Sequence, residues 1–284
     1  MKVLSLFSGI GGFDLALQQQ GHELIGACEI EQNARSIYAR HFPTVKIYTD
    51  ATKIKAEELP TFDLLCAGFP CQSFSIAGNR HGFNDTRGNL FFEITRIAKR
   101  KKPKYLFLEN VKGLLNHDNG KTFITILNTL NEIGYDAEWQ VINSKYFIPQ
   151  NRERIYIIGH LRTKPTRKVF RFNENIKPIH REKNLKQLGN IDTKNNNSIW
   201  GRVYDINHIS VTLNALGGGL GAKTGLYLMP ESNRIRKLTP LECERLQGFP
   251  DNWTLGLSDS QRYKCVGNAV TVPVIDYIAK GFEK

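Results

Sequence analysis

An α/β fold built on a doubly wound, mostly parallel sheet is predicted for this chain, with a smaller basic lobe inserted late in the sequence. Three observations predict it. Short apolar runs of strand length alternate with segments of helical spacing. The runs end in glycine-rich turns or single acids, at the strand ends where open α/β sheets present ligands. The formal net charge of +12 is concentrated, because residues 162–237 carry 15 Lys or Arg against 5 Asp or Glu. With 284 residues, 40% of them hydrophobic, the chain can bury one large core and a smaller lobe.

The first element, a strand over residues 3–7, runs into the turn Ser8-Gly9-Ile10-Gly11-Gly12-Phe13 and a helix ending near Gly21. The turn fails as a dinucleotide fingerprint, since Asp14 stands at the third glycine, and no Gly-Lys-Ser/Thr follows to make a phosphate loop. Bare backbone here fits an adenosine-containing cofactor that lacks a pyrophosphate. Glu29 ends the next strand, residues 24–28, where an acid can accept both ribose hydroxyls, and Asp50 repeats the device after residues 45–49. Ala34, Ile37, Tyr38 and His41 mark a helix face between them.

A buried strand over residues 62–67 leads into Gly68-Phe69-Pro70-Cys71-Gln72 and then a glycine-rich loop to Gly88. Cys71 therefore stands at a strand's carboxyl end, where a thiol is placed to react rather than to pack. Leu90, Phe91, Ile94, Ile97 and Ala98 recur at helical spacing, followed by a basic run to Lys104. The strand of residues 105–111 then delivers Glu109 to the same side of the sheet, if it runs parallel to its predecessor. Desolvation there is expected to raise the carboxyl's pKa and make it a proton donor near neutrality. Gln150, Arg152 and Arg154 alternate ahead of the strand at residues 155–159, so an extended chain points all three to one face. Two arginines beside a thiol would depress its pKa and hold a carbonyl or phosphate oxygen. Residues 269–282 read as a last helix that must begin or kink at Pro273.

Five cysteines at irregular spacing argue against a disulfide framework and for reduced thiols in a cytoplasm-like compartment. No pair has zinc-ligand spacing with matching histidines, so no metal is expected. There is no apolar run of membrane-spanning length, and the N-terminal one is too short for a signal peptide. The basic lobe mixes Trp200, Arg202 and Tyr204 with amides and glycines, which suits nucleic acid better than an acidic protein.

These stretches, together with Arg236-Lys237-Leu238-Thr239-Pro240, Gln247-Gly248-Phe249-Pro250 and Gly267-Asn268-Ala269-Val270, resemble the ordered motifs of the DNA (cytosine-5) methyltransferases. The resemblance spans almost the whole chain in the family's order and spacing, with no departure at a motif core. It implies a Rossmann-like, S-adenosylmethionine-dependent catalytic domain over residues 1–161 and a smaller, irregular, mainly β target-recognition domain over 162–261. The final segment, 262–284, would return to the catalytic domain.

Carried over residue by residue, the resemblance makes Cys71 the nucleophile toward carbon 6 of cytosine and places Glu109 at ring nitrogen 3. Arg154 falls at the carbonyl oxygen, with Arg152 in support. Contacts to S-adenosylmethionine, and to its product S-adenosylhomocysteine, fall on Phe7, Gly9, Ile10, Gly11, Glu29, Ile30, Asp50, Pro70, Leu90, Asn268 and Val270. The target base must leave the helix, since a thiol and a methyl donor need its two faces. DNA contacts are expected from Gln72, Ser75, Ile199, Trp200, Arg202, Thr212, Gly219 and Lys223. Residues 211–225 resemble those of family members that read GCGC. A monomer acting on double-stranded DNA within a bacterial or phage-type restriction-modification system is the expected setting. A zinc cytosine deaminase is excluded because Phe74 occupies the place of its second cysteine. An RNA cytosine methyltransferase and a non-catalytic DNA binder are the remaining alternatives.

Overall fold

The computed structural model describes residues 1–69, 90–170, 184–192, 201–215 and 221–282. Its main sheet has seven strands in the order β3-β2-β1-β4-β5-β7-β6. These are β1 (Lys2–Leu6), β2 (Glu23–Cys28), β3 (Ile47–Tyr48), β4 (Leu64–Gly68), β5 (Tyr105–Val111), β6 (Tyr135–Asn143) and β7 (Glu153–Leu161). The first five are parallel; β7 runs antiparallel between β5 and β6. The chain winds outward from β1 to β3, then resumes at β4 on the other side of β1. The pair β1/β4 is therefore the switch point, whose carboxyl ends leave a crevice for a ligand.

Strand alternation explains why the runs are apolar throughout. Val3, Leu64, Cys66, Tyr105, Phe107 and Ile158 face one layer, and Leu4, Leu6, Leu65, Leu106, Leu108 and Ile157 face the other. Helices α1 (Gly12–Gln19) and α2 (Gln32–His41) cover the first face, and α3 (Leu90–Lys101) and α4 (Lys121–Glu132) the second. α1 ends as its sequence implies: Gly21 takes φ +81°, while the amides of Gly21 and His22 return to the carbonyls of Gln18 and Leu17.

A four-stranded sheet in the order β11-β10-β9-β8 forms the second body. It comprises β8 (Gln187–Asn190), β9 (Arg202–Asp205), β10 (Leu226–Met229) and β11 (Arg234–Arg236). Tyr204, Leu213 and Tyr227 join its base to the core on the α1 face. Helix α5 (Pro240–Gln247) follows, then α6 (Asp259–Asn268) and α7 (Val272–Ala279). Both α5 and α6 open with capping boxes, Thr239 with Glu242 and Ser258 with Gln261. Within the stretch 269–282, where the last helix was expected to begin or kink at Pro273, residues 269–271 are non-helical and α7 starts at Val272. Pro273 thus sits in the first turn, where an absent N–H costs nothing. α7 lies on α1, with Gln20 Nε2 donating to Asp276 Oδ1 at 2.5 Å.

Asp14, which broke the glycine pattern, is fully buried in α1 and accepts the Tyr38 hydroxyl at 2.8 Å. Burial pushes its carboxyl up to about 6. The folded state therefore holds this proton where the unfolded chain has lost it. The resulting stabilisation is complete below pH ~4 and fades as pH rises to about 6. In thermal melts, the wild-type protein should lose stability across that window relative to Asp14→Asn, with a constant difference above it.

Candidate active site

The crevice at the end of β1 is shaped by backbone that side chains disfavour. Phe7, Gly9 and Gly11 have φ of 54°, 56° and 87°. A Cβ on Gly11 would collide with the Phe42 ring, whereas one on Gly9 would meet nothing within 4 Å. Gly11→Ala should therefore cost about 2 kcal/mol in denaturant unfolding, from combined clash and left-handed strain.

Glu29, buried just beyond β2, closes the turn. Its Oε2 accepts Gly9 N–H and its Oε1 accepts Glu31 N–H, both at 2.8 Å. Each carboxylate oxygen keeps a second acceptor position. Ile30, beside it, leaves 70% of its surface exposed, the largest fraction of any large apolar side chain among the described residues. Asp50 lies past β3, next to β2. There its Oδ1 takes the Thr52 amide and hydroxyl at 2.9 and 2.7 Å, and these bonds hold its carboxyl below the usual range.

The crevice is backed from far along the chain. Trp253 Nε1 donates to Ile10 O at 2.9 Å, and its ring stacks on His41 with centroids 3.5 Å apart. Val270 is packed so closely that a Cβ on Gly12 would come within 2.7 Å of its Cγ2. Asn268 is exposed at the end of α6, and Leu90 is half-buried at the first position of α3.

At the neighbouring strand ends, Gly68 of β4 and Glu109 of β5 are partners in register. A Cβ on Gly68 would sit 3.5 Å from Glu109 Oε2 and 3.9 Å from Val270 Cγ1, so one small space joins the two halves of the crevice. Asn110 Nδ2 donates to Phe69 O at 2.8 Å and fixes the direction in which the chain leaves β4.

Arg154 approaches from β7, its Nε 3.1 Å from Glu109 Oε1, with both side chains mostly buried. The antiparallel β5–β7 register makes this possible, placing Glu109 opposite Tyr156 and Arg154 two residues away on the same face. The carboxyl expected at an apolar strand end thus has a guanidinium beside it.

β7 begins only at Glu153, and Gln150 and Arg152, which both reach Leu213, are drawn into a buried polar network ahead of it. Arg152 donates to Leu213 O at 3.1 Å, Ala269 O at 2.9 Å and Gly267 O at 3.4 Å. Burial, with Arg154 nearby, lowers its pKa to about 9. Gln150 is wholly buried against Leu246 and Gln247.

Of the expected DNA contacts, Arg202 is half-buried at the start of β9, opposite Asn190. Thr212 gives its hydroxyl to Asn151 O at 2.5 Å, and Lys223 reaches Ser260 Oγ at 3.1 Å. Pro70, Cys71, Gln72, Ser75, Ile199, Trp200 and Gly219 lie outside the described residues.

The family model for C-5 cytosine-specific DNA methylase matches residues 1–217 and 211–284. The chain belongs to that family. This methylase is 39% identical to the Type II methyltransferase M.HhaI of Haemophilus parahaemolyticus, over 98% of its own chain and 93% of the relative. It is 41% identical to M.HpaII of Haemophilus parainfluenzae, over 98% and 87% of the respective chains. Its fold is that of the S. pombe Dnmt2 methyltransferase, with a TM-score of 0.73 at 22% identity, over 98% and 96% of the chains. The chain is a DNA cytosine-5 methyltransferase, and its Type II relatives connect it with restriction-modification. Among its described residues no helix is long and apolar enough to cross a membrane.

Sequence reasoning assigned no role to Asn110, Gln247 or Trp253. Asn110 stood in plain view beside Glu109, whereas the roles of Gln247 and Trp253 depend on contacts across more than twenty and more than two hundred residues.

Proposed function

We propose that this methylase takes S-adenosylmethionine into the β1/β4 crevice and methylates carbon 5 of a cytosine flipped out of duplex DNA. The observation that carries this reading is the Glu109–Arg154 pair at the sheet's carboxyl edge, against Gly68 and two residues before the exit toward Pro70-Cys71. The crevice suits the cofactor. Gly9 leaves room for a ligand against backbone, Glu29 retains acceptor positions for a ribose diol, and exposed Ile30 offers an apolar face to an adenine. Phe7, Ile10, Gly11, Asp50, Pro70, Leu90, Asn268 and Val270 complete the proposed set. When bound, the cofactor supplies an electrophilic methyl group.

The chain's own residues activate the base. Cys71 thiolate adds to carbon 6, which makes carbon 5 electron-rich, and its departure after the carbon 5 proton is lost restores the ring. Glu109 hydrogen-bonds or protonates ring nitrogen 3 as negative charge develops there. Arg154 serves two partners: it orients Glu109 and presents its remaining N–H groups to the base's carbonyl oxygen. Arg152, committed to three backbone carbonyls, positions the segment instead of touching the base.

Extrusion of the cytosine is required because a stacked base hides the faces that the thiol and the methyl donor need. Arg202 is the proposed guanine reader, and Thr212 and Lys223, already tied to the protein, are proposed to brace the reading surface. Gln72, Ser75, Ile199, Trp200 and Gly219 are the other proposed DNA contacts. GCGC is the proposed site, read by a cytoplasmic monomer with domains divided at residues 161 and 261. Tritiated methyl transfer to duplexes carrying GCGC, to scrambled duplexes and to transfer RNA tests the reading. Label in GCGC duplex alone is expected, and label only in RNA would overturn it.

A further inference from the structure

Two fully buried glutamines, Gln150 and Gln247, join parts of the molecule that the proposed function assigns to different ligands. Gln150 Oε1 accepts the Leu213 amide at 3.2 Å, and its Nε2 donates to Leu246 O at 2.6 Å and to Gln247 Oε1 at 3.4 Å. Gln247 Nε2 in turn donates to Val266 O at 3.1 Å and Ala269 O at 3.0 Å, while its Oε1 accepts the Thr271 hydroxyl at 2.9 Å. Arg152 closes the circuit by donating to both Leu213 O and Ala269 O. Leu213 is thus held by both its backbone groups, and Ala269 O by two side chains. The two segments also touch directly, since a Cβ on Gly267 would lie 2.5 Å from Asn214 C.

We propose that the Gln150–Gln247 amide pair is a positioning device that locks the DNA-side segment at Leu213 to the cofactor-side turn at Ala269, so that filling either site tightens the other. This rests on the cofactor and DNA sites argued above. Displacing one segment alone would strand buried donors and acceptors, so the pair resists independent movement and favours concerted movement. Coupling of this kind is reciprocal, and it is read as a ratio of affinities.

The test measures binding of a fluorescent duplex, carrying the site found by bisulfite sequencing, with and without saturating S-adenosylhomocysteine, which cannot react. Wild-type protein should bind the duplex about tenfold more tightly with the cofactor product present. Gln247→Met should reduce that ratio to about twofold or less, with each ligand alone bound within about threefold of wild type. Thr271→Val, which removes the hydroxyl that Gln247 accepts and that also bonds Ser144 Oγ at 2.8 Å, leaves both glutamines in place and should give an intermediate ratio if Gln247→Met does not fold. Ile126→Val, in α4 on the opposite face of the sheet, controls for general loss of stability and should keep the wild-type ratio.

An unchanged ratio in folded Thr271→Val and Gln247→Met, or an equal fall in Ile126→Val, would overturn the inference. So would wild-type protein that binds both ligands independently. Protein that binds neither S-adenosylhomocysteine nor DNA would instead overturn the functional reading beneath it.

Discussion

Cys71→Ser is expected to lower methyl transfer by roughly 10⁴-fold or more while leaving duplex affinity within about threefold of wild type. A serine hydroxyl is close to the thiol in size but is hardly ionised near neutrality, and no histidine is among the residues proposed to act on the base. Addition to carbon 6 then fails, and carbon 5 stays too poor in electrons to react. Binding is expected to survive because the basic residues that would hold duplex DNA lie largely between residues 162 and 237, away from the thiol in sequence. Single-turnover methylation with labelled cofactor and a parallel binding titration separate the two effects. Methylation within about tenfold of wild type by the serine variant would remove Cys71 from the mechanism.

Glu109→Gln should cost roughly 10²- to 10³-fold in the same single-turnover rate. The amide keeps the shape of the carboxyl and can still meet Arg154, but it has no proton to give ring nitrogen 3 and no charge to balance the guanidinium 3.1 Å away. Arg154 would be left mostly buried and short of its counter-ion, which predicts a lower melting temperature as well as a slower rate. Arg154→Lys distinguishes the two contributions. A lysine keeps the positive charge beside Glu109 without the planar fork, so stability should fall less than rate.

The catalytic half of the fold was legible because its strands are buried on both faces. Residues 3–6, 64–67 and 105–108 are fully or almost fully buried, and such runs stay apolar whatever their register. The acids Glu29 and Glu109 announced themselves as single charges after the apolar runs 24–28 and 105–108. By contrast, β6 is an edge strand whose residues are mostly half-exposed or exposed, and the strands of the small sheet span only three or four residues, too few to show a period. Helices α5 and α6 were not anticipated: few of their residues are apolar and buried, and the capping boxes that open them were the local signal available.

Site geometry was less accessible than site composition. That Arg154 meets Glu109 follows from β7 inserting antiparallel between β5 and β6, which alternation of polar and apolar residues does not encode. Arg152 and Arg154 look equivalent two positions apart in sequence, yet one sits on three carbonyls and the other on a carboxylate, because the strand starts between them. Support for the glycine turn from Trp253 joins residues more than two hundred positions apart, a contact that only the assembled core creates.

The proposed reaction turns on covalent attack by Cys71 on a cytosine held at the Glu109 edge. Duplexes in which 5-fluorocytosine replaces the target base test it most directly, since the fluorine cannot leave as a proton does and the adduct accumulates. Incubated with S-adenosylmethionine and denatured, wild-type protein should migrate as a DNA-linked species on GCGC duplexes, and the Cys71→Ser protein should not. A wild-type protein that transfers methyl groups to ordinary duplex yet yields no adduct with the fluorinated one would contradict the claim.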